Sequence, residues 1–216
     1  MILSEEYPSK IAAGLLNDEI DVGLVPVAVI PLLQESYIIS DYCIGAEAEV
    51  ASVGIFSEVP MEQIETVLLD YQSRTSINLA KVLLKNYWKK DVKFIDAGVD
   101  FRKHISGTTA GVVIGDRALE QRKISAYNYD LAASWIEFTG LPFVFAAWIA
   151  NKHLPEDFTD AFNRANAYGV HHLDEVLKDM NYAHYDLKTY YGKNISYELT
   201  ENKKKGLYLF LSYLRG

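Results

Sequence analysis

Residues 66–89 decide the fold class; they read Thr-Val-Leu-Leu-Asp-Tyr-Gln-Ser-Arg-Thr-Ser-Ile-Asn-Leu-Ala-Lys-Val-Leu-Leu-Lys-Asn-Tyr-Trp-Lys. The apolar run at 66–69 is typical of a buried strand. Apolar residues then recur at helical spacing, which predicts a helix over 76–89. The turn between them, Ser73-Arg74-Thr75-Ser76, therefore joins a strand to the N-terminus of a helix.

This turn has two interpretations. A helix N-terminus offers backbone N–H groups and the positive end of the helix dipole to an anion, and the Arg74 guanidinium suits a carboxylate or phosphate. Serine and threonine are also common N-caps for stability alone. The segment by itself leaves both alternatives open, and the arginine among three hydroxyls favours the anion site.

The same alternation of strand and helix extends along the chain and predicts an α/β architecture with mainly parallel sheets. Strands are predicted at 20–27, 49–57, 66–69, 92–95 and 110–116, and helices at 8–16, 76–89, 118–123, 130–138 and most of 155–190. Residues 143–150 form either a strand or the start of a helix. A tyrosine-rich hairpin or helix is expected over 190–215.

Composition excludes several classes of protein. The chain has 216 residues and a formal net charge of −8, so a broad basic face for nucleic acid is not expected. The single cysteine, Cys43, cannot form an intrachain disulfide and is expected to be a buried structural thiol. No apolar run approaches about 18 residues, so no membrane span is predicted. The first residues do not form a signal peptide, which predicts a cytoplasmic location.

Gly115-Asp116 is a second candidate site, because it follows an apolar strand where ligands bind in α/β sheets. The alternative is a tight turn in which Asp116 caps the next helix. The five histidines lack metal-ligand spacing, and no nucleotide or acyl-serine motif is present. Neither a metal nor a cofactor is therefore expected.

The order of segments resembles the chorismate dehydratases of the futalosine route to menaquinone. The resembling segments are 21–27, 52–57, Asp70-Tyr-Gln-Ser-Arg-Thr-Ser76, 113–116 and 130–148, the last containing Thr139-Gly140-Leu141-Pro142-Phe143. The resemblance implies a periplasmic-binding-protein-like fold of the second type, with two α/β lobes around a cleft. Lobe one would hold residues 1–52 and 143–216, and lobe two residues 53–142. The resemblance begins at the family's second strand, so lobe one is expected to lack its N-terminal strand, about thirty residues in all, which puts the activity of this chain in doubt.

The resemblance also implies a reaction, the loss of water from chorismate to give 3-[(1-carboxyvinyl)oxy]benzoate. The small anionic substrate would be the partner, without cofactor, nucleic acid or membrane. Its expected contacts are Ser73, Arg74, Thr75, Ser76, Gly115, Ser52, Pro26 and Phe143. Asp116 is the candidate general base, and the side-chain carboxylate of the substrate itself is the alternative.

Two further functions stay open. The same fold serves non-catalytic proteins that close on an anionic solute. The sister enzyme of the pathway, which makes dihydroxynaphthoate, would need a histidine base, and neither His104 nor His153 lies in a matching motif.

Overall fold

The strands belong to two separate sheets in this computed structural model, which describes residues 2–70 and 73–215. They are β1 (Val22–Pro26), β2 (Tyr37–Ala46), β3 (Val53–Ser57), β4 (Thr66–Asp70), β5 (Lys93–Ala97), β6 (Thr109–Ile114), β7 (Tyr127–Asp130), β8 (Phe143–Ala150) and β9 (Ser196–Glu198).

The helices are distributed around both sheets. They are α1 (Pro8–Leu16), α2 (Arg74–Asn86), α3 (Asp116–Gln121), α4 (Leu131–Thr139), α5 (Glu156–His171), α6 (Leu173–Leu177), α7 (Leu187–Thr189) and α8 (Glu201–Arg215). Short 3₁₀ helices occupy Val27–Leu32, Met61–Gln63 and Phe101–His104, and a π-helical turn spans Tyr190–Asn194. No helix in residues 2–70 and 73–215 is long and apolar enough to cross a membrane.

The four-stranded sheet has the order β1-β8-β2-β9, and its pairings are antiparallel. The apolar strand β8 lies between β1 and β2, with Val25 opposite Ala147 on one side and Cys43 opposite Ala147 on the other. Cys43 is buried, as predicted.

The five-stranded sheet has the order β5-β4-β6-β3-β7. Strand β4 is parallel to both β5 and β6, whereas β3 is antiparallel to β6 and β7. The prediction of mainly parallel sheets was therefore wrong. A continuous apolar run indicates a strand covered on both faces, and it does not set the direction of its neighbours.

Several element bounds differ from the predictions. Helix α2 begins and ends earlier than predicted, and the helix predicted over 155–190 is divided into α5, α6 and α7. Residues 143–150 form a strand, and 190–215 contain a π-helical turn, β9 and α8. Strand β2 had no prediction, because Ser40 and Asp41 interrupt its apolar residues.

One hydrophobic cluster includes residues from both sheets. Trp135 on α4 is fully buried, and its ring meets Phe143 on β8 at 5.4 Å and Phe210 on α8 at 6.1 Å between centroids. Helix α4 follows β7 of the five-stranded sheet, so these contacts join the two halves of the molecule. The chain crosses between the sheets at 47–52 and again at 140–142. The lobe boundaries at 52/53 and 142/143 stay a prediction.

Candidate functional site

The carboxyl ends of four strands of the five-stranded sheet lie at one edge of the sheet. Strands β4 and β6 end there at Asp70 and Ile114. Strand β7 runs in the same direction, because β6 and β7 are both antiparallel to β3, and it ends there at Asp130. Ser52 lies at the same edge, immediately before β3. Polar side chains are unusually buried here: Ser52, Asp70, Thr75, Ser76 and Asp130.

This edge contains a switch in chain direction. From β4 the chain goes through α2 to β5 on one side, and from β6 it goes through α3 to β7 on the other. A crevice forms where two such neighbouring connections diverge, and open α/β sheets usually bind their ligands there. The topology therefore makes the space between the N-termini of α2 and α3 the candidate ligand site.

Ser73 caps α2, and the cap carries no charge. Its Oγ accepts the Ser76 N–H at 3.2 Å, and its hydroxyl donates to Ser76 Oγ at 2.9 Å. The first turn of α2 contains no acidic residue. The cap expected from sequence is thus present, and the positive end of the helix dipole is not neutralised by a local carboxylate. Tyr71 and Gln72, which belong to the quoted motif, lie outside the described residues.

The four residues of the Ser-Arg-Thr-Ser turn point in different directions. Thr75 Oγ1 accepts the Ala28 N–H at 3.2 Å, which ties α2 to the turn that follows β1. Thr75 and Ser76 are buried, whereas Arg74 is exposed and lines a cavity on the outer side of α2. Successive helical residues are rotated by about 100°, which separates Arg74 from the hydroxyls. The structure therefore does not gather all four into one clamp.

Gly115 adopts a backbone conformation that glycine accommodates best, with φ +62° and ψ −147°. Its N–H donates to the Ser52 carbonyl at 2.8 Å, so the structure brings these two predicted residues together. A Cβ built at Gly115 would meet no atom within 4 Å. The glycine is required by its backbone angles rather than by lack of space.

Tyr190 is a member of this site that sequence reasoning missed. Its hydroxyl lies 2.8 Å from Ser52 Oγ. Burial raises the pKa of Tyr190, the bond to Ser52 lowers it, and the nearby Asp116 charge raises it, so the hydroxyl remains protonated at neutral pH. The only signal in the sequence was a run of tyrosines near the C-terminus, and nothing in it connects positions 52 and 190.

Residues 182–194, here called the C-terminal segment, also contact the surroundings of this edge. The Tyr182 hydroxyl donates to the Asp116 carbonyl at 3.2 Å, and Asn194 Nδ2 donates to the Glu49 carbonyl at 2.9 Å. The segment therefore reaches from the four-stranded sheet across to α3 and the 47–52 crossing.

Asp130 fixes the crossing at the opposite end of this edge. Its carboxylate accepts the N–H groups of Val50 at 3.2 Å and Ala51 at 2.8 Å, and those of Ala132 and Ala133 at 3.0 Å. Burial raises the pKa of Asp130, and the backbone N–H donors oppose this. Asp130 thus caps α4 with a carboxylate, whereas Ser73 caps α2 with a hydroxyl and the first turn of α2 contains no acidic residue.

Asp116 is the first residue of α3, and Gly115 occupies the N-cap, so the alternative in which Asp116 caps the helix was wrong. Asp116 is exposed, and its negative charge helps to raise the pKa of Tyr190. Beside it, Arg117 Nη2 contacts the fully buried Asp70 carboxylate at 2.7 Å. This ion pair holds α3 against the end of β4 and leaves little net charge at that point.

The remaining predicted contact residues, Pro26 and Phe143, lie to one side of this edge. Pro26 ends β1 two residues before Ala28, and therefore lies close to Thr75. Phe143 is fully buried against Trp135, Phe145 and Phe210, so its side chain packs in the core. Among the described residues, no group of three histidine, cysteine or acidic side chains could hold a metal ion.

Comparison with known families assigns the chain. A family model described as menaquinone biosynthesis matches residues 3–216. The chain belongs to this family. A curated relative, the chorismate dehydratase of Thermus thermophilus, is 26% identical over 236 aligned positions, covering 96% of this chain and 84% of the relative.

Solved structures agree on the fold of this menaquinone-biosynthesis family member. A structural-genomics protein from Archaeoglobus fulgidus superposes with a TM-score of 0.69 at 13% identity, covering 98% of this chain and 84% of that one. An ABC transporter structure from Parabacteroides distasonis gives a TM-score of 0.58 at 16% identity, covering 96% and 79%. The fold is mixed α/β with two sheets, and these likenesses agree with the periplasmic-binding-protein-like fold that the resemblance implied.

Proposed function

We propose that this protein is a chorismate dehydratase, a hydro-lyase of the futalosine route that works in the cytoplasm without a cofactor. The observation that carries the proposal is the N-terminus of α2, whose first turn contains no acidic residue, at the switch-point edge beside Gly115 and the Ser52–Tyr190 pair. Membership of the menaquinone-biosynthesis family and the dehydratase from Thermus thermophilus support it. The substrate would lie between lobe one, residues 1–52 and 143–216, and lobe two, residues 53–142.

The charge of the substrate fits this edge. Chorismate is a dianion, and one carboxylate would accept hydrogen bonds from the first turn of α2. Ser76 accepts the Ser73 hydrogen and can itself donate to that carboxylate. Arg74 adds positive potential from the outer face of the helix rather than a direct bidentate contact. The protein as a whole carries −8, so this local positive end is what selects an anion.

The reaction needs a proton acceptor and a way to release hydroxide as water. The hydrogen on the ether-bearing ring carbon leaves as a proton, its electron pair forms a ring double bond, and the neighbouring C–O bond breaks. The ring becomes aromatic, so the enzyme mainly has to orient the substrate and direct the proton. The protonated Tyr190 hydroxyl, held by Ser52, is suited to hydrogen-bond the departing oxygen.

Two acceptors compete for the ring proton. Asp116 lies at the site but would have to work beside an anionic substrate, which disfavours it. The side-chain carboxylate of the substrate is the second acceptor, and we favour it. If Asp116→Asn abolished turnover while chorismate still bound, the substrate-assisted route would be excluded.

The deciding experiment is incubation of the protein with chorismate while the aromatic product is followed by absorbance and identified by mass. Product with release of one water supports the proposal. Tight chorismate binding without product would instead favour a solute-binding protein of the same fold, and unchanged chorismate without binding would remove both. Asp116→Asn and Tyr190→Phe provide the matched variants.

A further inference from the structure

Positive charge in this acidic protein is concentrated in one segment. Residues 73–93 contain six cations, Arg74, Lys81, Lys85, Lys89, Lys90 and Lys93, and one acid, Asp91, a net charge of +5. The whole chain carries −8, so the remainder is strongly acidic. A patch of this kind attracts anions locally even though the protein as a whole repels them.

Helix α2 presents part of this charge as a narrow stripe. At about 100° per residue, Arg74, Asn78, Lys81 and Lys85 lie within about 60° of one another. All four line the same cavity, of about 520 Å³, between α2, the turn at Val27–Leu32 and the end of α8. This volume falls within the range of small-molecule sites, roughly 300–1,000 Å³.

The cations of the stripe have no acidic partners in the part of the chain that the structure describes. Arg74, Lys81 and Lys85 are exposed, and none forms an ion pair with a described carboxylate within 4.0 Å. Lys81 and Lys85 are four residues apart on one helix face, an arrangement of like charges that destabilises a helix. Lys81 Nζ lies 5.4 Å from the centroid of the Phe94 ring, a cation–π contact that leaves the repulsion between Lys81 and Lys85 in place. A bound anion would offset this repulsion.

The opposite wall of the cavity is apolar. It is formed by Pro31 and Leu32, of which Leu32 is 57% exposed, and by Tyr213 and Leu214 of α8. A purely inorganic anion would leave this wall unused. An organic anion would set its acidic groups against the lysines and its body against the leucines.

We propose that this cavity is a second anion site, which takes a small organic molecule with two acidic groups on an apolar body. It is distinct from the proposed dehydration site, because Ser73, Thr75 and Ser76 do not line it, although Arg74 does and Ala28 connects its wall to Thr75. The site would bind its ligand whether or not the protein dehydrates chorismate.

The test uses naphthalene-1,5-disulfonate, whose two charges are fixed at all working pH values, as the probe in titration calorimetry at about 50 mM sodium chloride. We expect saturable binding that weakens strongly at about 500 mM salt. Lys81→Gln/Lys85→Gln should weaken it about tenfold or more, and Lys81→Arg/Lys85→Arg, which keeps both charges, should retain it. Circular dichroism confirms that each variant is folded.

Lys178→Gln/Lys205→Gln is the matched control, because it removes the same charge from exposed positions outside the cavity. The control should bind the probe as the parent does. An absence of saturable binding, equal affinity in the Lys81/Lys85 glutamine variant, or an equal loss in the control would overturn the proposal.

Discussion

The Tyr190 hydroxyl and Ser52 Oγ lie 2.8 Å apart, although 138 positions separate them in the chain. The contact joins the C-terminal segment to the start of β3, at the edge where α2 begins. Ser52 is only 3% exposed, so its hydroxyl has little access to water as a substitute partner.

Replacing Tyr190 with phenylalanine should therefore destabilise the protein by about 1–3 kcal/mol, because a buried serine hydroxyl loses its partner. Urea denaturation measures this change. Ser52→Ala/Tyr190→Phe should be less destabilised than the sum of the single variants, since removing both partners leaves neither unpaired. Tyr191→Phe removes the hydroxyl from the neighbouring, partly buried tyrosine and serves as the control. Equal losses at positions 190 and 191 would show that the Ser52 contact contributes nothing specific.

Ser73→Asp separates the two interpretations of the α2 N-terminus. Aspartate caps a helix as well as serine does and favours the positive end of the dipole, so the free energy of unfolding should be unchanged or slightly higher. The added negative charge would repel a carboxylate, and KM for chorismate should rise about tenfold or more.

Ser73→Ala is the companion variant, and it should cost about 1 kcal/mol of stability through loss of the cap. A Ser73→Asp protein with unaltered KM would mean that Ser73 is a cap and that no anion binds there.

Gly115→Ala tests the backbone requirement at the switch point. At φ +62° and ψ −147°, alanine should cost about 1–3 kcal/mol, although a Cβ has open space. Gly169→Ala in the last turn of α5 is the counterpart, since it also has open space and lies within a helix. That change should stabilise the protein by about 0.5–1 kcal/mol. Comparable effects at both glycines would contradict the role of the unusual angles.

Cys43 should be nearly inert in the folded protein. Burial is the main cause that raises its pKa to about 11, against a lowering effect of the Lys203 charge. At pH 8 only about one thiol in a thousand is then ionised, and the thiolate is the reactive form. Labelling by a thiol reagent should be slow at pH 8, become faster as the pH rises toward 11, and be complete in denaturant. Rapid native-state labelling at pH 8 would contradict this burial.

Local patterns predicted local structure well. Helix α1 begins at Pro8 and ends at Leu16 as expected, because a proline at its start and an apolar face are sufficient signals. The Ser73 cap was also readable, since its hydrogen bond reaches only to Ser76. Such features depend on residues a few positions apart.

Contacts between distant residues were not predictable. The Ser52–Tyr190 pair, the four N–H groups on Asp130 and the Asp70–Arg117 ion pair depend on how strands are ordered in the sheet. Position in a motif also does not give the orientation of Arg74, which adjoins three hydroxyls in sequence and lines the cavity between α2 and α8. The orientation of a helical residue is set by its rotation about the axis, not by its neighbours in the motif.

The fully buried Trp135 has a consequence for how the protein unfolds. Its ring on α4 contacts Phe143 on β8 and Phe210 on α8. The two halves of the molecule therefore depend on the same contacts. We therefore expect the two halves to unfold together, with neither remaining folded after the other has unfolded. Differential scanning calorimetry should show one transition whose van't Hoff and calorimetric enthalpies agree, and two resolved transitions would contradict it. If unfolding is cooperative in this way, the crevice at the N-terminus of α2 is as stable against thermal unfolding as the core beneath it.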